Sequence, residues 1–340
     1  MNKSGKKTIY DIAREAHVSP ATVSRVMGGA AEVSDEKRAL VQSLISLYGY
    51  TPSNAARSLK TRRTRRIGFI VPDITNPYFA NLYFAVEQRL AALGYTSMLC
   101  NSGDDPEKEI NLLRVLSGDG AEAIVFQGVL ADWIDPPERL FSQFREISQR
   151  TPIIVLSNSQ TPGCARVAAD EESGIRQLAA HLTDRGYRTF GFLGGGADIR
   201  QTISRRELFA RALAERGMSP SPQWIIEGGY DYVAGKRCMY QLLKQREQPE
   251  AILCFNDYVA SGALHMLHVA GIAVPGGMAL CGFDGIFLSE ITYPMLTTIA
   301  VDYGELTDAV TSMIERVSGG EIDVGAVETV AMRLIDRGTT

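Results

Sequence analysis

Residues 8–27 read TIYDIAREAHVSPATVSRVM, and the interpretation of the rest of the chain turns on this stretch. Thr8 followed by Asp11 is an N-cap with an acidic partner three residues on, a looser form of the capping box. Ile9, Ile12, Ala13 and Ala16 then recur at helical spacing, so a helix is expected to start at Thr8. His17-Val18 breaks the pattern and Ser19-Pro20 restarts it, because serine caps well and proline at the first helical position gives up only an N–H that had no partner. A second helix is predicted from about Pro20 to Met27, with Val23, Val26 and Met27 on one face and Ala21, Thr22, Ser24 and Arg25 on the others. Two helices with so short a turn, the second bearing small polar groups and an arginine, suit a recognition helix in the DNA major groove. An ordinary helical hairpin with a polar surface fits the same residues.

Charge favours the first reading. Residues 1–66 carry thirteen Lys/Arg against five Asp/Glu, while the remainder carries twenty-two against thirty-four, an asymmetry hidden by the overall net charge of −4. A basic module on an acidic body fits phosphate contact by the first part and exclusion of DNA from the second. Ser34-Asp35-Glu36 caps a third helix, whose Leu40, Val41, Leu44, Ile45 and Leu47 offer an apolar face and which stops at Gly49-Tyr50. The segment after Pro52, SNAARSLK, is too short to be a stable helix alone and is expected to fold only when something holds it. TRRTRR at 61–66 follows as a basic linker.

These motifs, with EVS at 32–34 and YGYTPSNAARSLKTRRTRRIGFIVPDITNPYF at 48–79, resemble the lactose-repressor (LacI/GalR) family of bacterial transcription regulators, and the resemblance extends through the C-terminal part. It implies base reading by Pro20, Ala21 and Arg25, of which Arg25 can pair bidentately with guanine while the other two offer apolar contact. It implies phosphate contacts from Thr8, Thr22, Ser24, Ser34 and Tyr50, and a hinge helix in which Leu59 wedges into the operator minor groove beside Ala56 and Lys60. Gly28-Gly29 stand where the family often has asparagine shortly after the recognition helix.

From Ile67 onward short apolar runs alternate with amphipathic segments, which indicates parallel sheets flanked by helices, and the strands are too many for one comfortable sheet. The fold expected is a three-helix helix-turn-helix domain and a hinge helix, followed by a two-lobed α/β core with parallel sheets. The resemblance implies the periplasmic-binding-protein type I fold, with crossings between lobes near 158–163, 287–293 and 320–326. The predicted domains are 1–51, the hinge and linker 52–66, and an effector-binding and dimerisation domain 67–340. Within that domain one lobe is expected near 67–160 and 292–322, the other near 161–291 and 323–340.

Ligands of open α/β sheets bind beyond the carboxyl ends of strands. Polar and aromatic residues expected there are Asp73, Asn76, Tyr78 and Phe79, then Arg200 and Thr202 after the Gly194-Gly195-Gly196 turn, then Tyr230, Asn256-Asp257 and Asp284. The resemblance places Arg206 and Asp284 on sugar hydroxyls, and Tyr230 and Phe79 against the ligand from opposite lobes. A salt bridge between Arg206 and Asp284, core packing by Tyr78 and Phe79, and helix capping by Asn256-Asp257 are the structural alternatives. Phe209 departs from the glycine usual three residues after the arginine matching Arg206. Arg200 and Arg205 hint at an anionic ligand, a sugar acid or sugar phosphate.

The five cysteines are scattered without C-x-x-C spacing, so no metal or cofactor is expected. No charged-then-apolar leader opens the sequence, and no apolar run approaches the roughly 18 residues of a membrane span, so a cytoplasmic protein with no membrane partner is expected. The function expected is a homodimeric repressor of a palindromic double-stranded DNA operator, controlled by a small sugar-like effector. A sugar-binding protein without a DNA role, and an enzyme using Asp257 or Asp284 as base, are the rivals; no nucleophile–base pair supports the latter.

Overall fold

The computed structural model describes residues 7–27, 33–50, 63–321 and 325–340. The chain divides into two compact units, Met1–Thr64 and Arg65–Thr340. The hinge residues Ala56, Leu59 and Lys60, and the Gly28-Gly29 pair, lie outside the described residues.

In the first unit, α1 (Ile9–Glu15) opens on a complete capping box: the Asp11 N–H donates to Thr8 Oγ1, and the Thr8 N–H donates to Asp11 Oδ2 at 2.9 Å. The Thr8 N–H and the Thr8 hydroxyl, both donating to Oδ2, followed by Arg14, hold the Asp11 carboxyl below its ordinary pKa. Ser19 Oγ accepts from the Thr22 N–H at 3.1 Å and so starts α2 (Pro20–Met27). The third helix, α3 (Asp35–Tyr48), ends on Gly49 in the left-handed conformation (φ +55°), although Ser34 makes no side-chain cap bond. Ile12, Ala13, Ala16, Val23, Val26, Val33, Val41 and Leu44 form its core. Leu40 and Leu47, expected on the apolar face, are 44% and 71% exposed: seven residues apart, they share a stripe about 100° round from Val41.

The second unit contains two six-stranded sheets. The first has the order β11-β5-β4-β3-β1-β2, with β1 Arg66–Val71, β2 Thr96–Asn101, β3 Ala123–Phe126, β4 Ile153–Leu156, β5 Ala165–Ala169 and β11 Val327–Val330. The second has the order β12-β10-β9-β8-β6-β7, with β6 Phe190–Leu193, β7 Pro220–Ile226, β8 Ala251–Cys254, β9 Ala279–Asp284, β10 Thr297–Val301 and β12 Met332–Ile335. Every pairing is parallel except β10 with β12. The exception follows from the architecture. The two sheets point their carboxyl ends at each other, so a chain running straight from β11 through Ala331 into β12 must enter the second sheet against its strands.

All three crossings lie later than the sequence suggested. Residues 158–163 stay in the first lobe, because β5 still pairs with β4; the chain crosses at Asp170, before the helix Glu171–Asp184 packs on β12 and β10. Residues 287–293 stay in the second lobe, because β10 follows and pairs with β9. That crossing is at Asp302, before the helix Tyr303–Gly319 returns to pack on the helix Pro77–Ala92. The third is at Ala331 rather than 320–326. Buried strands rich in Ile, Leu, Val and Phe were readable, whereas β5, ARVAA, and β11, VETV, carry too little apolar bulk to announce themselves. Among the described residues no helix is long and apolar enough to cross a membrane.

Candidate functional site

Two surfaces bring together residues singled out in the sequence. The first is the outward face of α2. Burial of Val23 and Val26 turns Ala21 and Arg25 to solvent, with Pro20 half-buried at the start of the helix. Arg25 forms no ion pair among the described residues, so its five donors are available to an external acceptor. The flanking hydroxyls are less free: Thr8 Oγ1 donates to Asp11 at 2.8 Å, and the Thr22 and Ser19 hydroxyls lie 2.9 Å apart. Ser34 is exposed, while Tyr50 packs half-buried against the core.

The second is a cleft between the two sheets of the larger unit, enclosing a cavity of about 420 Å³. The first lobe lines it with Asp73, Asn76, Tyr78, Phe79, Asp104, Gln127 and Asp132, and the second with Gln201, Arg205, Tyr230, Asp231, Phe255, Asn256 and Asp284, among others. Most of the polar residues follow a strand or open a helix, as open α/β sheets require, whereas Arg205 comes from within the helix Arg200–Ala214 and Asp132 from the end of the short helix Val129–Asp132.

At the base of the cleft Arg205 is buried. Its Nε and Nη2 donate to Glu171 Oε1 at 3.0 and 2.8 Å, its Nη1 donates to the Phe255 carbonyl at 2.7 Å, and the guanidinium carbon lies 3.7 Å from the Phe283 ring centroid. Asp284 Oδ1 is 3.7 Å from Nη2. Burial pushes the Asp284 carboxyl up to about 7 against the pull of Arg205. Asp284 also sits at φ +98°, a conformation that side chains rarely adopt, at the end of β9 where the carboxylate enters the cleft.

On the opposite wall Asp132 accepts hydrogen bonds from the Ser157 and Ser159 hydroxyls at Oδ1, and burial raises its pKa despite them. Its position depends on Glu109, which is wholly buried behind the wall and accepts the N–H groups of Val129 and Leu130 at 2.8 and 3.0 Å. Gly128 is needed for that approach, since a Cβ there would lie 2.4 Å from Glu109 Oε1. The Tyr230 hydroxyl accepts from the Gly196 N–H at 3.0 Å, and its ring meets Phe255 edge-on at 4.8 Å. Tyr78 and Phe79 form a second edge-on pair at 5.2 Å.

Of the expected residues, Asp73, Asn76, Tyr78, Phe79, Tyr230, Asn256 and Asp284 line the cavity. Asn256 does so with its polar atoms occupied: Oδ1 caps the helix Asp257–Val269 and Nδ2 donates to the Tyr230 carbonyl. Arg206, Arg200, Thr202 and Asp257 do not line it. Arg206 points about 100° away from Arg205 round the helix Arg200–Ala214 and pairs with Glu227 at 2.8 Å, so Arg205 takes the place expected for it. With Arg205 inward, the residue three positions on is Leu208, and Phe209 is a core residue packed edge-on against Phe190.

Arg200 donates to the Ile134 carbonyl at 2.7 Å beside the bond from the Ile134 N–H to the Asp198 carbonyl, and thereby joins the lobes at the rim. Thr202 is buried behind Tyr230, its hydroxyl 3.3 Å from the tyrosine oxygen. Asp257 is buried under β9 and β10, accepting from the Ile286 N–H and the Thr298 hydroxyl. Arg200 and Arg205 therefore give no support to an anionic ligand. Gln127 could have been found from its place directly after β3, and Asp104 from the loop after β2; Asp132 had no local signal. Among the described residues no group of three or more His, Cys, Asp or Glu is arranged to hold a metal ion.

Comparison with known proteins matches residues 8–53 to the family model "Bacterial regulatory proteins, lacI family" and residues 179–340 to a periplasmic binding protein-like domain. The chain is 32% identical to the transcriptional repressor PurR of Haemophilus influenzae over 92% of its length and 91% of the relative's. It is 33% identical to the transcriptional regulator GalS of Salmonella typhimurium over 97% and 95%. Its fold is similar to that of a lac repressor dimer bound to operator and the anti-inducer ONPF, with a TM-score of 0.88 at 24% identity over 99% of both chains.

Proposed function

This chain belongs to the LacI family of bacterial regulatory proteins, DNA-binding transcription regulators rather than enzymes, and from that premise we propose that it is a cytoplasmic homodimeric repressor released from, or locked onto, a palindromic operator by a small polyhydroxylated effector. The observation that carries this reading is the cavity of about 420 Å³ at the carboxyl ends of both sheets, bounded by groups from each lobe. Aromatic rings on both sides and convergent carboxylate and amide groups suit a ring bearing hydroxyl groups. A ligand that bridges the lobes changes their relative orientation.

In this account Pro20, Ala21 and Arg25 read bases, and Thr8, Thr22, Ser24, Ser34 and Tyr50 hold phosphates. Residues 52–66 are assigned to the hinge, and Ala56, Leu59 and Lys60 to contact with the minor groove. Effector contacts are assigned to Asp73, Asn76, Tyr78, Phe79, Tyr230 and Asp284, with Arg205 in place of Arg206. The dimer is supported by an exposed apolar run of the second lobe: Phe287, Ile291, Tyr293 and Met295 are 51%, 67%, 97% and 50% exposed within nine residues, a concentration that marks association surfaces.

The test is to select operators from random DNA with the full chain and then screen sugars for a thermal shift, where a ligand at a hundred times its dissociation constant stabilises the folded state by about 2.7 kcal/mol. A ligand that stabilises the protein must also change operator affinity. A tight cleft ligand without that effect would separate sugar binding from regulation.

A further inference from the structure

Resting on the reading of the cleft as the effector site, we propose that its effector carries a positive charge, as a polyhydroxylated amine such as an amino sugar, and that carboxylate or phosphate analogues are excluded. Among the described residues, the charged groups that line the cavity are five aspartates and two arginines, with no lysine or histidine. The two arginines do not balance the five. Arg205 is already matched by Glu171, which accepts from both its Nε and Nη2 behind the cavity wall, and Arg237 stands at the exposed rim, donating to the Gly228 carbonyl.

Four of the aspartates, Asp73, Asp104, Asp132 and Asp231, have no ion pair among the described residues. Asp132 carries the most weight. It is 9% exposed, both of its serine partners bond to Oδ1, and Oδ2 receives no hydrogen bond from the described residues. Asp104, from the loop after β2, has neither an ion pair nor a hydrogen bond to its carboxylate among the described residues, and its charge is felt by Tyr230 on the opposite lobe. Burial and the neighbouring Asp73 raise its pKa, as expected of carboxylates crowded without a cation. An ammonium group supplies three donors and the missing charge, and desolvation strengthens both. A ligand carboxylate would add a further anion to the same enclosed space.

The experiment uses matched triplets on the full chain by thermal shift and calorimetry in a non-amine buffer. Two triplets are glucose, glucosamine and glucuronate, and galactose, galactosamine and galacturonate. A third, free of stereochemistry, is protonated tris(hydroxymethyl)aminomethane, pentaerythritol and 2,2-bis(hydroxymethyl)propionate. In any triplet that binds, the amine should bind at least about tenfold tighter than the neutral member, and the anion should not bind. Asp132→Asn keeps an oxygen for the two serine hydroxyls, and Asp104→Asn alters a loop residue whose carboxylate holds no hydrogen bond among the described residues, so at least one should fold and each should erase most of the preference. A neutral or anionic member binding as well as the amine overturns the charge assignment and leaves the effector cleft standing, as does a preference that survives both substitutions. Failure of all nine probes removes the cleft reading as well as the charge preference.

Discussion

Arg205 and Glu171 form a buried pair in which Nε and Nη2 of the arginine both reach Oε1 of the glutamate, at 3.0 and 2.8 Å. Glu171 is the first residue of its helix after the chain crosses at Asp170, so the pair secures the entry to the second lobe and turns the remaining arginine edge toward Asp284. Removing one partner strands a buried charge, and Arg205→Ala should therefore cost about 3–5 kcal/mol and lower the melting temperature sharply. Arg206→Ala, which breaks the partly exposed pair with Glu227, should cost less than about 1 kcal/mol and leave ligand affinity nearly unchanged. Thermal unfolding of the two variants, side by side, checks this.

Asp284 gives opposite pH signs for stability and for binding. Its carboxyl is raised from 3.8 to about 7 in the folded protein, so its contribution to stability is full below pH 3.8 and is lost as pH rises through 7. A ligand hydroxyl that donates to the carboxylate needs the ionised form, so affinity should climb by up to about tenfold per unit as pH rises toward 7 and then level off. Asp284→Asn should flatten both profiles. Calorimetric titration and melting curves across that range provide the check.

The helix-turn-helix was legible because its determinants are local. Thr8 with Asp11, and Ser19 with Pro20, set the helix starts within a turn of themselves, and the structure uses both as caps. The cleft was legible where a residue follows a strand or opens the helix after it, as with Asp73, Asn76 and Phe79. The choice between Arg205 and Arg206 was not, because one residue is about 100° of helix and the rotation is fixed by the packing of Phe209, Ala212 and Leu213 into the core. Asp132 was also out of reach: its position depends on Glu109, twenty-three residues earlier, accepting the backbone that leads to it.

The cap on α1 has its own measurable cost. Thr8→Ala removes the acceptor of the Asp11 N–H and one partner of the Asp11 carboxylate, which should destabilise the first unit by about 1 kcal/mol. Operator binding should weaken while base preference stays as it was. Arg25→Ala should instead weaken binding to the preferred operator while leaving the stability of the first unit unchanged, relaxing preference at one base pair of each half-site by about 1–3 kcal/mol. Binding to a panel of singly altered operators separates the two.

At the rim, Arg200 and Ile134 join the lobes next to the bond from Ile134 N–H to the Asp198 carbonyl. Arg200→Ala should therefore favour a more open cleft without ligand and weaken a bridging ligand severalfold, mostly through faster release. Small-angle scattering of the free variant and stopped-flow dissociation test both parts.

The central claim is that occupancy of the cleft sets the affinity of α2 for operator DNA, and the most direct measurement is fluorescence anisotropy of a selected operator titrated with the full chain, with and without the ligand giving the largest thermal shift. A change in dissociation constant of about tenfold or more, equivalent to about 1.4 kcal/mol of coupling, is predicted, and it should vanish in Asp284→Asn while operator binding without ligand persists. An operator affinity that is identical with the cleft full and empty would contradict the account.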